Sequence, residues 1–592
     1  MMRPADAWKT ELGGTPDRDD VRIIEARSGK PTLKVGQVLL HSRYDPEREA
    51  AQLVDSAGLD PSRPVLVIGL GLGYHVRELL ARGFEAAAVE PDAAVARRAL
   101  EGPLGEAAFP LGIGEVEAVA ASEAFRSLAR RMPQVLIHPP TARLHPRYVD
   151  ALRAALAREA FSGVRFSVAV VGPMYGGSLP ITRYLADAFR ALGHRTLAVD
   201  NAEGWPLYEA VTGSVEHARA KAQLGQMVTN LLGEWTYARV AEFNPEICIV
   251  LAQAPVRSNF AARLAESGTV SAFWFVENWR HMPYWKQVAL EYDYFFHIQP
   301  GEFDALLEAI GCKHHAFVQT GCDPAVHRPA ELTAEERAEF GCDLSFAGAG
   351  YYNRNRLFRG LTDYDFKIWG VNWTERALAR LVQRRDQRFS PEEFMKIVAA
   401  SKINLNLHSS NRREGVDPAC DAINPRVFEI AAAGGFQLCD PCVGLEDHFD
   451  FETELPTFTN LAELRARIDY FLAHPDDRKA IARAARDRAL RDHTYERRAQ
   501  QMLDLILERH GARLLKRGVR VQRSSKEIME RVGADSDLGK YLALWPPDAL
   551  FTYDSLRAMQ DQRVGEDLYA ARVFHYLREV REFAEAVLRE RR

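Results

Sequence analysis

The sequence predicts an α/β protein of three Rossmann-like domains followed by a helical tail. Short apolar runs alternate with helix-length amphipathic stretches, the pattern of parallel sheets covered by helices. A buried-strand run that ends in a glycine turn and opens a helix starts three times, at Pro64–Gly69, Val164–Val171 and Asp343–Gly348. A chain of 592 residues also exceeds what one hydrophobic core holds, so several domains are expected.

Composition narrows the class. With 47% hydrophobic and 27% charged residues the chain is ordinary globular material, which excludes a disordered or fibrous protein. Lys plus Arg number 76 against 81 Asp plus Glu, and the net charge of −5 gives no global attraction to nucleic acid. Apolar stretches such as Val168–Val171 stop far short of the roughly 18 residues a membrane span needs. The N-terminus, MMRPADAWKTELGG, lacks a secretory signal, and seven cysteines, an odd number, form no disulfide framework. A cytoplasmic location is therefore expected. The lone CxxC, Cys439 to Cys442, reads as a strand followed by a turn, with a zinc or redox site as the lesser alternative.

Taken in order, residues 1–155 form the first domain. Pro64–Gly69 is a buried strand, His75–Arg82 a helix and Ala86–Glu90 the next strand. Between the first two runs lies Gly69-Leu-Gly71-Leu-Gly73-Tyr74, with Glu90 21 residues after Gly69. Gly69, Gly71, Gly73 and Glu90 are thus a candidate site for a nucleotide or S-adenosylmethionine: glycines admit phosphate, and the acid accepts ribose hydroxyls. Val67 stands where methyltransferases usually carry an acid and Tyr74 where a dinucleotide fingerprint wants glycine. The alternative is a ligand-free domain using glycine for a tight turn.

After a linker near 155–163, residues 163–335 form a second domain. Its strand Val164–Val171 runs into a loop carrying Gly176, Gly177 and Ser178 and then a helix through Leu192. Glu277, Asn278 and His281 follow the strand Ala272–Val276. Either Glu277 or His281 could take a proton from an acceptor hydroxyl. A second linker near 328–341 leads to the third domain, 340–510. There Gly348 ends a strand, and Asn353 and Arg354 start the next helix. Asp421, Asn424, Arg426 and Glu429 surround the entry to a later one. Gly434 and Gly435 are read as letting the following strand pack closely. The tail, 511–592, ends in an amphipathic helix whose Leu577, Val580, Phe583 and Val587 share a stripe read as internal.

Two resemblances sharpen this. The words His41-Ser-Arg-Tyr-Asp-Pro46, Gly69-Leu-Gly-Leu-Gly-Tyr-His75 and Glu90-Pro91 resemble the N-terminal region of motility-associated flagellin glycosylation proteins. That likeness implies an accessory domain beside a sugar-transfer module. Phe346-Ala-Gly348, Tyr352-Asn353-Arg354, Ser401-Lys-Ile-Asn-Leu-Asn-Leu-His408, Asn424-Pro-Arg426-Val-Phe-Glu429 and His493-Thr-Tyr495 are similar to the spore-maturation CgeB-like glycosyltransferases. That similarity implies a GT-B pair formed by the second and third domains, with a nucleotide-sugar held by the third.

On that reading Glu429 accepts hydrogen bonds from the donor's ribose, and Arg426 or Arg354 offsets charge on the departing diphosphate. Asp421 occupies the slot where retaining relatives place a glutamate, which leaves retaining versus inverting open. Catalytic roles are expected of Glu277, His281 and Arg426. Donor contacts are expected of Gly348, Asn353, Arg354, Asp421, Asn424, Arg426 and Glu429, and acceptor-side contacts of Gly176, Gly177, Ser178 and Asn278. No acidic pair sits at a strand end, so no metal is expected, and no cofactor is held permanently beside the nucleotide-sugar co-substrate. The expected activity is transfer to an acceptor hydroxyl, by preference flagellin Ser or Thr. The competing readings are a bifunctional methyltransferase and glycosyltransferase, a polysaccharide glycosyltransferase and a non-enzymatic scaffold.

Overall fold

Strands in which every side chain is apolar and buried are covered on both faces, as Val65–Ile68 and Ile247–Leu251 are here. A computed structural model describes residues 2–590 apart from 17, 106, 517–523, 548, 550 and 552, and without the side chains of 512, 515, 516, 553, 554 and 581–590. The chain folds as two compact units, 165–503, and 1–164 together with 504–592.

The unit 165–503 holds two parallel sheets. The first has six strands in the order Arg195–Val199, Ser167–Val171, Ile247–Leu251, Val270–Phe275, Tyr294–His297 and His315–Phe317. The second has four, in the order Phe366–Trp369, Cys342–Ala347, Ser401–Asn406 and Gln437–Cys439. Each has its own core. Val171, Val250, Phe273, Phe275 and Phe295 pack in the first, and Leu344, Phe346, Ile368, Ile403 and Leu438 in the second. Two Rossmann-like sheets in one unit are the GT-B arrangement that the sequence predicts.

After the second sheet the chain returns to the first. Thr494 pairs with Cys322, and the helix Tyr495–Lys516 begins there. Arg498 Nε donates to Thr320 O at 3.1 Å and Gln501 Nε2 to Phe317 O at 3.1 Å. The word His493-Thr-Tyr495 is therefore the seam between the halves: Tyr495 is fully buried, 5.4 Å from the ring of Tyr184. The predicted linker at 328–341 contains a helix instead, Ala334–Phe340, because Thr333 and Glu336 form a reciprocal capping box at its start.

The other unit holds a five-stranded sheet in the order Met2–Pro4, Pro110–Ile113, Ala86–Glu90, Val65–Ile68 and Gln134–Ile137. Its first strand is antiparallel and the rest parallel. A small antiparallel sheet over Val21–Leu39 accompanies it. Residues 155–160 belong to the helix Pro146–Ala160 rather than to a linker. Within this unit Arg158 pairs with Asp504 at 2.7 Å, Arg153 pairs with Glu508, and Phe161 packs on Gly511.

The tail has a core of its own, in which Tyr541, Leu542, Trp545, Leu556, Ala570 and Ala571 are buried. The inward face of the helix Tyr569–Glu590 is thus Ala570, Ala571 and Phe574. Leu577 and Val580, expected to be internal, are 53% and 47% exposed. One side of a helix serves one core, and the Tyr541–Trp545 cluster takes the other side. Phe583 and Val587 lie outside the described side chains. Among the described residues no helix is long and apolar enough to cross a membrane.

Candidate functional site

In parallel sheets, loops at the carboxyl ends of strands form the ligand crevice. In 165–503 these loops from both sheets line a cleft of about 700 Å³. From the first sheet come Gly177, Ser178, Glu277, Asn278, Arg280 and His281, and from the second Tyr351, His408, Asp421, Asn424 and Arg426. A second cavity of about 480 Å³ shares Gly177, Tyr351, Pro425 and Arg426 with it and adds Gly176, Gly348, Arg354, Arg388 and Glu429.

On the first wall the loop after Ser167–Val171 turns through Gly176 at φ +112°, which side-chain-bearing residues avoid. Nothing stands within 4 Å of where a Cβ on Gly177 would be, so backbone faces open cleft. Ser178 Oγ is buried without a hydrogen-bond partner among the described residues. Glu277 accepts from Gln253 Nε2 at 3.2 Å, and burial pushes its carboxyl up to about 7. Gln253 sits at φ +66°, a strained conformation for a residue with a side chain, at the end of the strand beside Glu277. Asn278 Oδ1 accepts from the backbone N–H of Arg280 at 2.9 Å, and His281 is exposed at the rim.

The second wall divides into groups already committed and groups left open. Asn353 is committed: its amide donates to His408 O at 2.7 Å and Gly415 O at 3.1 Å, and its Oδ1 accepts from Ser410 N at 3.0 Å. Arg354 donates to Leu407 O through Nε (2.9 Å) and Nη2 (2.6 Å), and to Ala349 O through Nη1 at 2.9 Å. Burial, helped by the charge of Arg426, lowers Arg354 to about 9, so it stays protonated at neutral pH. Asp421 is also engaged: Oδ2 pairs with Arg280 at 2.6 Å and Oδ1 accepts from Gln299 Nε2 at 2.6 Å. Asn353, Arg354 and Asp421, expected to contact donor, are each held by hydrogen bonds to the protein's own loops and walls, while Asp421 and Arg354 also border the larger and the smaller cavity.

Arg426, Asn424 and Glu429 are the open groups. Arg426 Nε has no hydrogen-bond partner among the described residues, and its guanidinium lies 3.4 Å from where a Cβ on Gly348 would stand. Asn424 donates to Asn406 Oδ1 at 3.0 Å, while its own Oδ1 is buried and unmatched among the described residues. Glu429 sits in the helix Arg426–Ala432, raised to about 7 by burial against the opposing pull of Arg426. His327 Nε2 is 3.8 Å from its carboxylate. Sequence reasoning missed Arg280, Arg388, Arg412, Arg413 and Gln253, all of which line the cavities or support them. Arg412 and Arg413 follow His408 by four and five residues, a basic pair just beyond a strand word. With them the cleft becomes basic although the whole chain is acidic.

The N-terminal glycine turn looks different. A Cβ on Gly69 would stand 2.4 Å from Thr141 Oγ1, on Gly71 2.4 Å from His41 Nε2, and on Gly73 1.9 Å from Leu104 Cδ1. Glu90 accepts from Leu70 N at 2.6 Å and Asp92 N at 3.1 Å, and burial lifts its carboxyl to about 7. His41, His75 and His138 fill the remaining space; burial lowers His41 to about 3 and His75 to about 4, so both are neutral. Glycine is needed here because the protein's own side chains crowd the turn. That favours the ligand-free alternative.

Residues 354–504 match the Glycosyl transferase-like family, so the chain carries a glycosyltransferase-like domain there. No curated protein matches the chain. Among solved structures it is similar to sucrose-phosphate synthase from Thermosynechococcus elongatus (12% identity over 59% of this chain and 100% of that one, TM-score 0.41). A glycosyltransferase from Rickettsia africae matches at 16% identity over 60% and 99%, TM-score 0.40. HepE of Anabaena, solved in complex with UDP, matches at 10% identity over 57% and 98%, TM-score 0.38.

Proposed function

We propose that 165–503 is a GT-B glycosyltransferase that moves a sugar from a nucleotide-sugar to an acceptor hydroxyl. One observation carries the reading: Arg426, with a buried Nε that no described residue satisfies, opens onto both cavities of a basic cleft between two Rossmann-like sheets. A buried unmatched donor costs about 1–3 kcal/mol, and a diphosphate oxygen would remove that cost. The donor then lies with its ribose against Glu429 in the smaller cavity and its diphosphate at Arg426. Arg354, fixed behind, adds positive potential without touching it. The acceptor enters the larger cavity and hands its hydroxyl proton to Glu277. Its oxygen bonds to the anomeric carbon as the bond to the diphosphate breaks, and Arg426 receives the developing charge. This assignment inverts the anomeric centre and puts no metal on the diphosphate. For the acceptor we favour a protein Ser or Thr hydroxyl, flagellin by the N-terminal resemblance alone.

A thermal-shift panel of UDP-, GDP-, CMP- and dTDP-sugars tests this. Donor at ~100 times its Kd should stabilise the protein by about 2.7 kcal/mol, and Glu429→Ala should lose both that shift and transfer. A folded Glu429→Ala protein that keeps both overturns the site.

A further inference from the structure

Beneath the same cleft lies a cluster that the transfer mechanism does not use. His408 follows the strand Ser401–Asn406, Cys420 sits in the segment before Asp421, and Cys439, Asp440 and Cys442 follow one another at the end of Gln437–Cys439. The Sγ atoms of Cys420 and Cys442 are 3.2 Å apart, and a nitrogen of His408 lies within 4.8 Å of both. Asp440 Oδ1 accepts from both the backbone N–H of His408 and its Nδ1, each at 2.8 Å. In the neutral imidazole, which is the form that binds a metal, Nε2 then carries the lone pair. His408 is only 2% exposed, and its Nε2 is buried with no hydrogen-bond partner among the described residues.

We propose that His408, Cys420 and Cys442 bind a thiophilic divalent cation of the zinc class, with Asp440 fixing the imidazole from behind. Two thiolates and one imidazole are a zinc ligand set, and soft sulfur ligands select zinc over magnesium or manganese. Ligand atoms around one zinc stand roughly 3.3–3.8 Å apart, so atoms already within 4.8 Å need only side-chain adjustment. A carboxylate on the far nitrogen of a ligating histidine is the usual outer support, because it fixes tautomer and ring orientation. His408 and Cys420 both border the 700 Å³ cleft, which leaves the fourth position for water or for a ligand in the cleft. Binding is balanced by release of the two thiol protons to solvent. The cation would tie the segment carrying Asp421, Asn424 and Arg426 to the end of the second sheet. The CxxC therefore contributes one ligand, Cys442, and its partner comes from Cys420, 22 residues earlier.

The test uses full-length protein, purified with a phosphine reductant and no chelator, then dialysed against micromolar zinc. Elemental analysis should find about one zinc per chain. Cys420→Ser, Cys442→Ser and His408→Ala should each lose it, whereas Cys312→Ser, altering a thiol that hydrogen-bonds Ala289 O at 3.2 Å, should keep it. If those variants fold poorly, cobalt added to wild-type protein replaces them as the probe. Tetrahedral thiolate-to-cobalt absorption supports the site. Wild-type protein that stays metal-free with both thiols reduced, a Cys420–Cys442 disulfide in its place, or zinc retained in both cysteine variants overturns it.

Discussion

At the scale of single residues, two carboxyls titrate where an enzyme at neutral pH would use them. Glu277 and Glu429 both rise from 4.5 to about 7 because burial disfavours the charged form. A base works only when ionised, so turnover at saturating donor should climb as pH rises through about 7 and then level. Glu277→Gln should lower kcat by ~10²–10⁴ and flatten that acidic limb. The limb should persist in kcat/KM for donor, where Glu429 still titrates. The stability sign is the reverse. A folded pKa above the ordinary value means tighter proton binding when folded, so this stabilisation is present below about 4.5 and lost as pH rises through about 7. Ligand-free Glu277→Gln should therefore show a shallower fall in Tm over that window. An unchanged limb in kcat would remove Glu277 as the base.

At the scale of elements, the helix Tyr352–Leu357 supports the site from behind. Asn353 and Arg354 satisfy carbonyls at 407, 408 and 415, and so set where the loop bearing Arg412 and Arg413 begins. Removing a buried side chain that satisfies several backbone groups costs about 1–3 kcal/mol. Asn353→Ala should lower the stability measured by denaturant by about that much. Arg426→Ala should leave stability near wild type while donor affinity drops by a factor on the order of 10–150, for loss of a charged hydrogen bond. The opposite split, with Asn353 governing affinity and Arg426 governing stability, would exchange their roles. The sequence placed both residues in one donor list because a motif letter does not say which way its side chain is spent.

At the scale of the whole molecule, the two ends of the chain form one compact unit. Arg158–Asp504, Arg153–Glu508 and the packing of Phe161 on Gly511 join the first domain to the segment after 503. Deleting 504–592 should lower the melting of the N-terminal unit and expose 1–164 to proteolysis. A separate donor-stabilised transition for 165–503 should remain, because both walls of the cleft lie within it. Calorimetry with and without the bound nucleotide-sugar checks this; an N-terminal transition untouched by the deletion would show that the tail is dispensable.

The sequence by itself determined the fold class. The three strand-and-glycine-turn starts became Val65–Ile68, Ser167–Val171 and Cys342–Ala347, because short, largely apolar runs buried in a parallel sheet have few other stable arrangements. It also placed Glu277, Arg426 and Glu429 at strand or helix ends, where the cleft does form. Only the tertiary structure decided which polar groups remain free for a ligand. Asp421 pairs with Arg280 across 141 residues, His408 with Asp440 across 32, and Cys420 meets Cys442 across 22. Local pattern reports periodicity along the chain, whereas hydrogen-bond partners and side-chain-filled turns are set by segments that meet only after folding. For the same reason the tail helix buried Ala570 and Ala571 rather than Leu577 and Val580: a helix with apolar residues on two sides leaves the choice of face to its neighbours.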